Sequence, residues 1–375
     1  MNYAYITFIA DLGSYYARNA FRGITDYVRP FSDKFAVVAQ NRLLWKGRKP
    51  AGIIAMTNSS NQKKLRDTRL KVVNISSIMA ESGFPSVISD AREVGRLAAL
   101  HLLAAGFDHF GFYGAKGVGF HGWRCQGFIQ ELQAQGKQCA IYFDRENLNY
   151  RQLLGENKPL KQWIARLSKP VGILCGSDWA AQIIYDACQE RSLKIPFDVA
   201  LVGIDNDEMR CETYAPPLSS VDTDARRIGY EAAALLFRLL DGKSAPTRPT
   251  LIKPPGVIQR RSSDVFICND PHISTVVRYI RQHIEERLQV RQLLQLVPLS
   301  RRVLEHRFYQ GLGWTMQTEI HRCKIERIKQ CLANTNWSME KLATRMGFSN
   351  PNHMSSMFRR ETGMTLSNYR INSRH

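Results

Sequence analysis

The chain has 375 residues, 44% of them hydrophobic, and a formal net charge of +19 with a pI near 9.7. That length suits two or three domains rather than one core, and the charge favours a polyanionic partner. No stretch is long and apolar enough to span a bilayer, no basic region with a cleavage site opens the chain, and the eight cysteines include no C-x2-C pair. A membrane anchor, a signal peptide and the usual zinc or thioredoxin spacing are therefore not expected, and scattered thiols suit a reducing cytoplasm. The positive charge is spread: from Asp264 onward there are 17 Lys and Arg against 9 Asp and Glu, and before it 35 against 24. Charge supports nucleic-acid binding without locating it.

In chain order, Tyr3 to Ile9 reads as a strand, followed by a helix from about Tyr16 to Val28. Phe35–Ala39, Gly52–Met56, Lys71–Ile75 and Ser86–Ser89 are further runs of strand length. A helix over Glu93–Ala105 ends at Gly106, where glycine suits a helix stop. His109–Tyr113, Cys139–Phe143, Val171–Cys175 and Val199–Ile204 continue as strands, with helices over Trp123–Gln135, Ala180–Glu190 and Ala225–Leu240 between or after them. Leu251–Ile258 is a last strand-like run. Strands alternating with helices predict a parallel sheet covered on both faces.

One loop offers a competing chemistry. Gly117-Val118-Gly119-Phe120-His121-Gly122 is a literal G-x-G-x-x-G between a strand and a helix, and Asp144 closes the next strand about where a ribose-binding acid would sit. This is the basis of the alternative reading, an NAD-binding enzyme with a regulatory DNA-binding tail. Against it, the glycines begin three residues past the strand, and Phe120 and His121 place bulk where a backbone must approach pyrophosphate. No acid-base or nucleophile set accompanies the motif, so no enzymatic activity, cofactor or metal is expected.

Polar groups at strand ends in two α/β halves make a cleft suited to a small hydroxylated ligand. Carboxylates and amides pair with hydroxyls, arginine with hydroxyl and ring oxygen, and aromatic faces with C–H patches. Asp11, Asp90, Arg124, Ser177, Asp178, Asp205 and Asn206 are the candidates, with Phe120, Trp123 and Trp179 as stacking faces. The plainer alternatives are that Asp178 caps a helix, Asp205 forms a turn and Arg124 pairs with a surface acid.

The last third carries a duplicated pattern. Leu293-Leu294, a turn at Pro298-Leu299-Ser300, then Leu304, Phe308, Gly313 and Thr315 are matched by Leu342-Ala343, a turn at Gly347-Phe348-Ser349, then Met354, Phe358, Gly363 and Thr365. From the second segment on, the copies stay fifty positions apart. Apolar residues four apart stack on one helix face. The opposite faces carry Arg301, Arg302, Glu305 and His306 in one copy, and Asn350, Asn352, His353, Ser356 and Arg359 in the other. A basic helix from about Glu319 to Ala333 joins them. Two short helix pairs with one apolar and one polar face are what a major-groove reader needs. The plainer alternative is a helical bundle with solvated faces, which duplication in register disfavours.

This segment resembles the AraC family of transcription regulators, through Gly347-Phe348-Ser349, Phe358-Arg359, Gly363-Met364-Thr365 and Tyr369-Arg370 over about 105 residues. The resemblance implies two helix-turn-helix units joined by a long helix. The front part resembles the sensing core of LacI/GalR repressors and type I periplasmic binding proteins. The matching residues are Arg124-x-x-Gly127-Phe128, Gly176-Ser177-Asp178, Pro196-x-Asp198-Val199 to Asp205 and Pro216 to Val221. It implies sugar contacts at Arg124 and Asp205, with Ser177-Asp178 in place of the family's Asn-Asp pair.

The implied fold is a two-lobed α/β sensor, residues 1–262, a linker, 263–269, and an all-α DNA-binding domain, 270–375. The combined resemblance implies a cytoplasmic transcription activator that binds D-xylose, acts as a homodimer on double-stranded DNA and serves RNA polymerase. Ser300, Arg301, Arg302, Glu305, His306, Asn350, Asn352, His353, Ser356, Arg359 and Arg360 are the expected DNA-facing residues. Among them Arg302, Glu305, His306, Asn352, His353 and Ser356 are assigned to bases, and Arg301, Arg359 and Arg360, together with Lys341, to phosphate.

Overall fold

The computed structural model describes residues 4–43, 49–79, 82–144, 157–265 and 270–372. The chain divides into Met1–Asp264 and Val265–His375. The expected linker at 263–269 straddles that division, and 266–269 lies outside the described residues. Ser263, expected in the linker, is fully buried in the first unit, where its hydroxyl donates to Ser219 Oγ at 2.7 Å.

The first unit contains two sheets built as sequence alternation predicts. In chain order its elements are β1 (Ala4–Ile9), α1 (Tyr15–Val28), β2 (Phe35–Gln40), β3 (Gly52–Ala55), α2 (Gln62–Asp67), β4 (Lys71–Asn74), β5 (Val87–Ser89) and α3 (Ala91–Ala104). These are followed by β6 (His109–Ala115), α4 (Gly119–Ala134), β7 (Cys139–Asp144), α5 (Lys158–Arg166), β8 (Val171–Cys175), α6 (Asp178–Glu190) and β9 (Val199–Ile204). The unit closes with α7 (Glu208–Thr213), β10 (Ser219–Asp222), α8 (Ala225–Leu240), β11 (Thr250–Ile252) and β12 (Gly256–Ile258).

One lobe holds the sheet β2-β1-β3-β4, all parallel, extended by an Asn74–Ser86 bridge toward the parallel pair β5-β11. The other holds β12-β10-β9-β8-β6-β7, parallel except for β12 against β10. The run expected as one strand over Leu251–Ile258 is thus two short strands in different sheets. Pro254 and Pro255 break it, since proline removes the ladder donor. The chain passes between the lobes after β5, after β10 and after β11.

Continuous apolar runs make the central strands. Every residue of β8 and β9 is buried, as strands covered on both faces require. The helices α3 and α4 approach each other backbone to backbone at glycine. A Cβ on Gly95 of α3 would stand 2.0 Å from the Arg124 carbonyl oxygen of α4, and one on Gly127 of α4 would stand 1.9 Å from that of Arg92. No side chain fits either place. The pair locks the start of α4 against α3 and so fixes where Arg124 emerges.

The second unit contains α9 (Pro271–Gln282), α10 (Val290–Leu293), α11 (Arg301–Leu312), α12 (Met316–Asn334), α13 (Met339–Arg345), α14 (Pro351–Thr362) and α15 (Leu366–Asn372). The duplicated Gly-x-Thr has a local cause. Gly313 and Gly363 end α11 and α14 at φ +80° and +72°, a left-handed stop that favours glycine. Thr315 and Thr365 then accept from Thr318 N and Asn368 N, capping the next helix. Each copy has its own core, one around Leu304 and Phe308, the other around Met354 and Phe358.

Candidate functional site

In the first unit a cavity of about 160 Å³ lies at the C-terminal ends of the strands, where both lobes contribute. Ser14, Tyr16, Met56, Ile75, Ser76, Ser77, Ile78 and Ser89 line it from one side, and Ala91, Phe120, Arg124 and Asp205 from the other. Its volume is well below the roughly 300–1,000 Å³ of clefts for drug-sized ligands. It suits a compact ligand.

Arg124 is the centre of that wall. It is 5% exposed, with one guanidinium N–H donating to the Gly176 carbonyl at 2.6 Å and another to Asp205 Oδ1 at 3.1 Å. Its charge stands 4.4 Å over the Phe120 ring centroid, a favourable cation–π distance. The remaining donor, Nε, is buried and has no partner among the described residues. Ser89 Oγ on the facing lobe is likewise buried and unpartnered among them. Unsatisfied buried polar groups are costly, and here two of them border one cavity.

Asp205 is half-buried and has φ +105°, and Asn206 follows at +52°. Burial raises the Asp205 carboxyl above its usual range, while Arg124 pulls it the other way. This unfavourable backbone is held from beneath. Asp178, 2% exposed, accepts from Asp207 N at 2.7 Å and from Ser220 Oγ at 2.6 Å. Asn206 N donates to Ser220 Oγ at 3.0 Å, its amide to Asp222 at 3.3 Å, and its carbonyl oxygen accepts from Arg260 at 3.0 Å. Asp178 and Asn206 therefore support the loop from inside the protein instead of lining the cavity. Burial, and then the nearby Asp205 charge, push the Asp178 carboxyl up to about 8.

The remaining candidates divide similarly. Ser177 caps α6 through Ala180 N and Asp90 caps α3 through Glu93 N. Asp11 is exposed and accepts from Gly13 N at 2.9 Å. The structure thus gathers Phe120, Arg124 and Asp205 at the cavity and gives Asp11, Asp90, Ser177, Asp178 and Asn206 local partners. Sequence reasoning missed Ser14, Tyr16, Ser76, Ser77 and Ser89. Tyr16 donates to the Ile75 carbonyl at 2.7 Å, and burial raises its hydroxyl pKa. Hydroxyl side chains are common in loops, so only their position after a strand end could have drawn attention to them.

The glycine loop has a different role from the one its pattern suggests. Helix α4 begins at Gly119, earlier than expected, so Phe120 and His121 are helical. His121 is buried, and its Nδ1 accepts from Ala115 N at 3.0 Å. Burial, then Arg124, hold it down to about 3, so the ring is neutral. Its ring also lies where a Cβ on Gly176 would be 2.7 Å away. The imidazole fills the strand end that a pyrophosphate would need.

In the second unit, Ser300, Arg301, Arg302, Glu305 and His306 of the first copy are all exposed, as are Asn350, Asn352, His353, Ser356, Arg359 and Arg360 of the second. Leu304, Phe308, Met354 and Phe358 on the opposite faces are fully buried. Ser300 and Asn350 cap their helices through Val303 N and His353 N. Arg301 pairs with Glu305 at 2.9 Å and Arg360 with Glu361 at 3.1 Å. Lys341 lies 5.3 Å from the Trp337 ring centroid.

Residues 86–263 match the periplasmic binding protein-like domain family, and residues 293–372 match a helix-turn-helix domain family. A xylose operon regulatory protein of Haemophilus influenzae is 31% identical over 292 residues, covering 77% of this chain and 75% of the relative. The chain belongs to the family of xylose operon regulatory proteins. A second member, from Escherichia coli strain K12, is 28% identical over 385 residues, covering 98% of this chain and 97% of the relative. The solved structure of a xylose-binding transcription activator aligns with TM-score 0.72 and 26% identity, over 99% of this chain and 98% of that one. Like these family members the chain is a transcription regulator, with a periplasmic-binding-protein-like sensor and a helix-turn-helix reader, and not an enzyme. No helix among the described residues is long and apolar enough to cross a membrane.

Proposed function

We propose that this regulator is an activator controlled by a pentose, D-xylose first, bound between the lobes at Arg124 and Asp205. The observation that carries the reading is the pair of buried, unpartnered donors, Arg124 Nε and Ser89 Oγ, bordering one small cavity from opposite lobes. A sugar bridging them is held by both lobes at once and so favours their closed arrangement, by as much as it binds that arrangement better. The ring of Phe120, held in place by Arg124, offers a face for a sugar's C–H patch. Relatives named for xylose set the choice of sugar.

The reader acts on double-stranded DNA, placing α11 and α14 in successive major grooves about 34 Å apart. Arg302, Glu305, His306, Asn352, His353 and Ser356 face bases, and Arg301, Arg359, Arg360 and Lys341 face phosphates. The protein works in the cytoplasm as a homodimer and presents DNA to RNA polymerase.

Thermal-shift measurement of the full chain against D-xylose, other pentoses and hexoses tests the sensor. A ligand at one hundred times its dissociation constant stabilises the native state by about 2.7 kcal/mol. D-xylose should raise the melting temperature most, and no response to any sugar would overturn the assignment.

A further inference from the structure

The reader's two cores are separate, and they meet along α12. The first takes Ile320 from that helix, with Cys323 packed beside it, and the second begins at Ile325. Lys324 stands at the seam. It is 7% exposed, and its ammonium donates to the Met346 carbonyl and, at 3.1 Å, to the Glu286 carbonyl. Met346 follows α13 as its C-cap, inside the second helix-turn-helix unit, whereas Glu286 lies in the segment after α9, against the first. The ammonium also stands 4.9 Å from the ring centroid of Phe348 in the second unit's turn.

The same contact is tightened at Gly347. Its φ is +67°, and a Cβ there would stand 2.6 Å from the Glu286 carbonyl carbon. Nearby, Arg327 of α12 donates twice to Glu285 Oε1, at 2.9 and 2.6 Å. Carbonyls from both units converge on one buried cation, which neither unit needs for its own core. A buried lysine is an expensive group to keep. Methionine or leucine would complete the apolar seam at lower cost if filling space were the whole task.

We propose that Lys324 is a positioning residue that sets the angle and distance between the two helix-turn-helix units, and that it thereby makes the protein selective for the spacing of the two DNA segments its reading helices occupy. The proposal rests on the reading that both α11 and α14 enter the major groove. On that footing, one inserted base pair moves the second segment along and around the duplex axis, and a rigid pair of units cannot follow. A pair released at the seam can.

The test uses the full chain and a duplex enriched from a randomised pool by the wild-type protein. Affinity is measured for that duplex and for versions with one or two base pairs inserted between the two protected segments. Wild type should lose about tenfold or more per insertion, in line with the cost of a wrong contact in a specific site. Lys324→Met should bind the parent duplex less tightly and lose less than about threefold on insertion, because only the coupling is removed and the base-facing residues are intact. Gly347→Ala, which forces the seam apart with Lys324 present, should change the same ratio, and it carries the test if Lys324→Met does not fold. A Lys324→Met protein with the wild-type ratio, or a Gly347→Ala protein with that ratio where Lys324→Met does not fold, would overturn the proposal. A wild type indifferent to insertion would remove the two-groove reading and this inference with it.

Discussion

The Arg124 guanidinium holds the Asp205 carboxylate at 3.1 Å and the Gly176 carbonyl at 2.6 Å, spanning from the start of α4 to two strand ends. Removing the cation leaves a carboxylate that burial already disfavours. Arg124→Met should weaken D-xylose binding by about 2 to 5 kcal/mol, the usual cost of truncating one partner of a desolvated pair. Asp205→Asn, which keeps an acceptor for Arg124, should cost less. Calorimetric titration distinguishes the two, and wild-type affinity in Arg124→Met would remove that side chain from the sugar site.

Asp178 predicts a specific pH dependence. Its folded carboxyl is raised to about 8 from an ordinary value of 3.8, so between those values the native state holds a proton that the unfolded chain gives up. Sensor stability should therefore decline as pH rises through that window and level off above it. Asp178→Asn resembles the protonated acid, since its amide can donate to Ser220 Oγ while its oxygen accepts from Asp207 N. It should be close to wild type at neutral pH and more stable than wild type near pH 9. Asp178→Ala leaves the part-buried Asp207 N–H without its acceptor and should cost about 1 to 3 kcal/mol. Chemical denaturation of the variants across pH 5 to 9 checks the sign.

Asn350 separates helix stability from DNA contact. Its side chain accepts from His353 N at 2.8 Å, capping α14, and aspartate caps about as well as asparagine. Asn350→Asp should leave thermal stability of the reader nearly unchanged and still lower DNA affinity, because it places a negative charge where phosphates approach. Asn350→Ala should instead cost about 0.5 to 2 kcal/mol of stability. A DNA affinity unaffected by Asn350→Asp would move this end of α14 away from the duplex.

Arg302 and Lys341 should behave differently on DNA. Arg302→Ala should cost about 1 to 3 kcal/mol on an enriched site and relax sequence preference. Lys341→Ala should weaken all duplexes alike and lower the slope of log affinity against log salt by about one. Equal weakening on every sequence by Arg302→Ala would place it on phosphate.

Periodicity made most of the fold legible, because strands such as Val199–Ile204 and helices such as Ala225–Leu240 are long, regular and buried. It was least informative where tertiary partners decide the outcome. The run from Leu251 to Ile258 gives no sign that its halves join different sheets, since that depends on β5 and β10, far away in sequence. At the cleft, carboxylates and amides drew attention by type, yet Asp11, Asp90, Asp178 and Asn206 are occupied by backbone amides or neighbouring side chains. The serines that do border the cavity carry no distinguishing sequence signal. Arg124 and Asp205, which do line the cavity, were named both by residue type at a strand end and by the resemblance. In the reader the fifty-residue repeat displayed both faces of both helices, so buried and exposed sets were separable in advance. Lys324 was not, because a lysine in a basic helix looks like any solvated one until the carbonyls around it are known.

The three passages of the chain between the sensor's lobes have a consequence for how such proteins can be reassembled. Neither lobe is a contiguous stretch of sequence, so no single cut frees one, and a foreign lobe cannot be spliced in without three junctions. The reader is one uninterrupted segment, Val265–His375. A single recombination event ahead of it exchanges the operator preference while leaving the effector specificity whole.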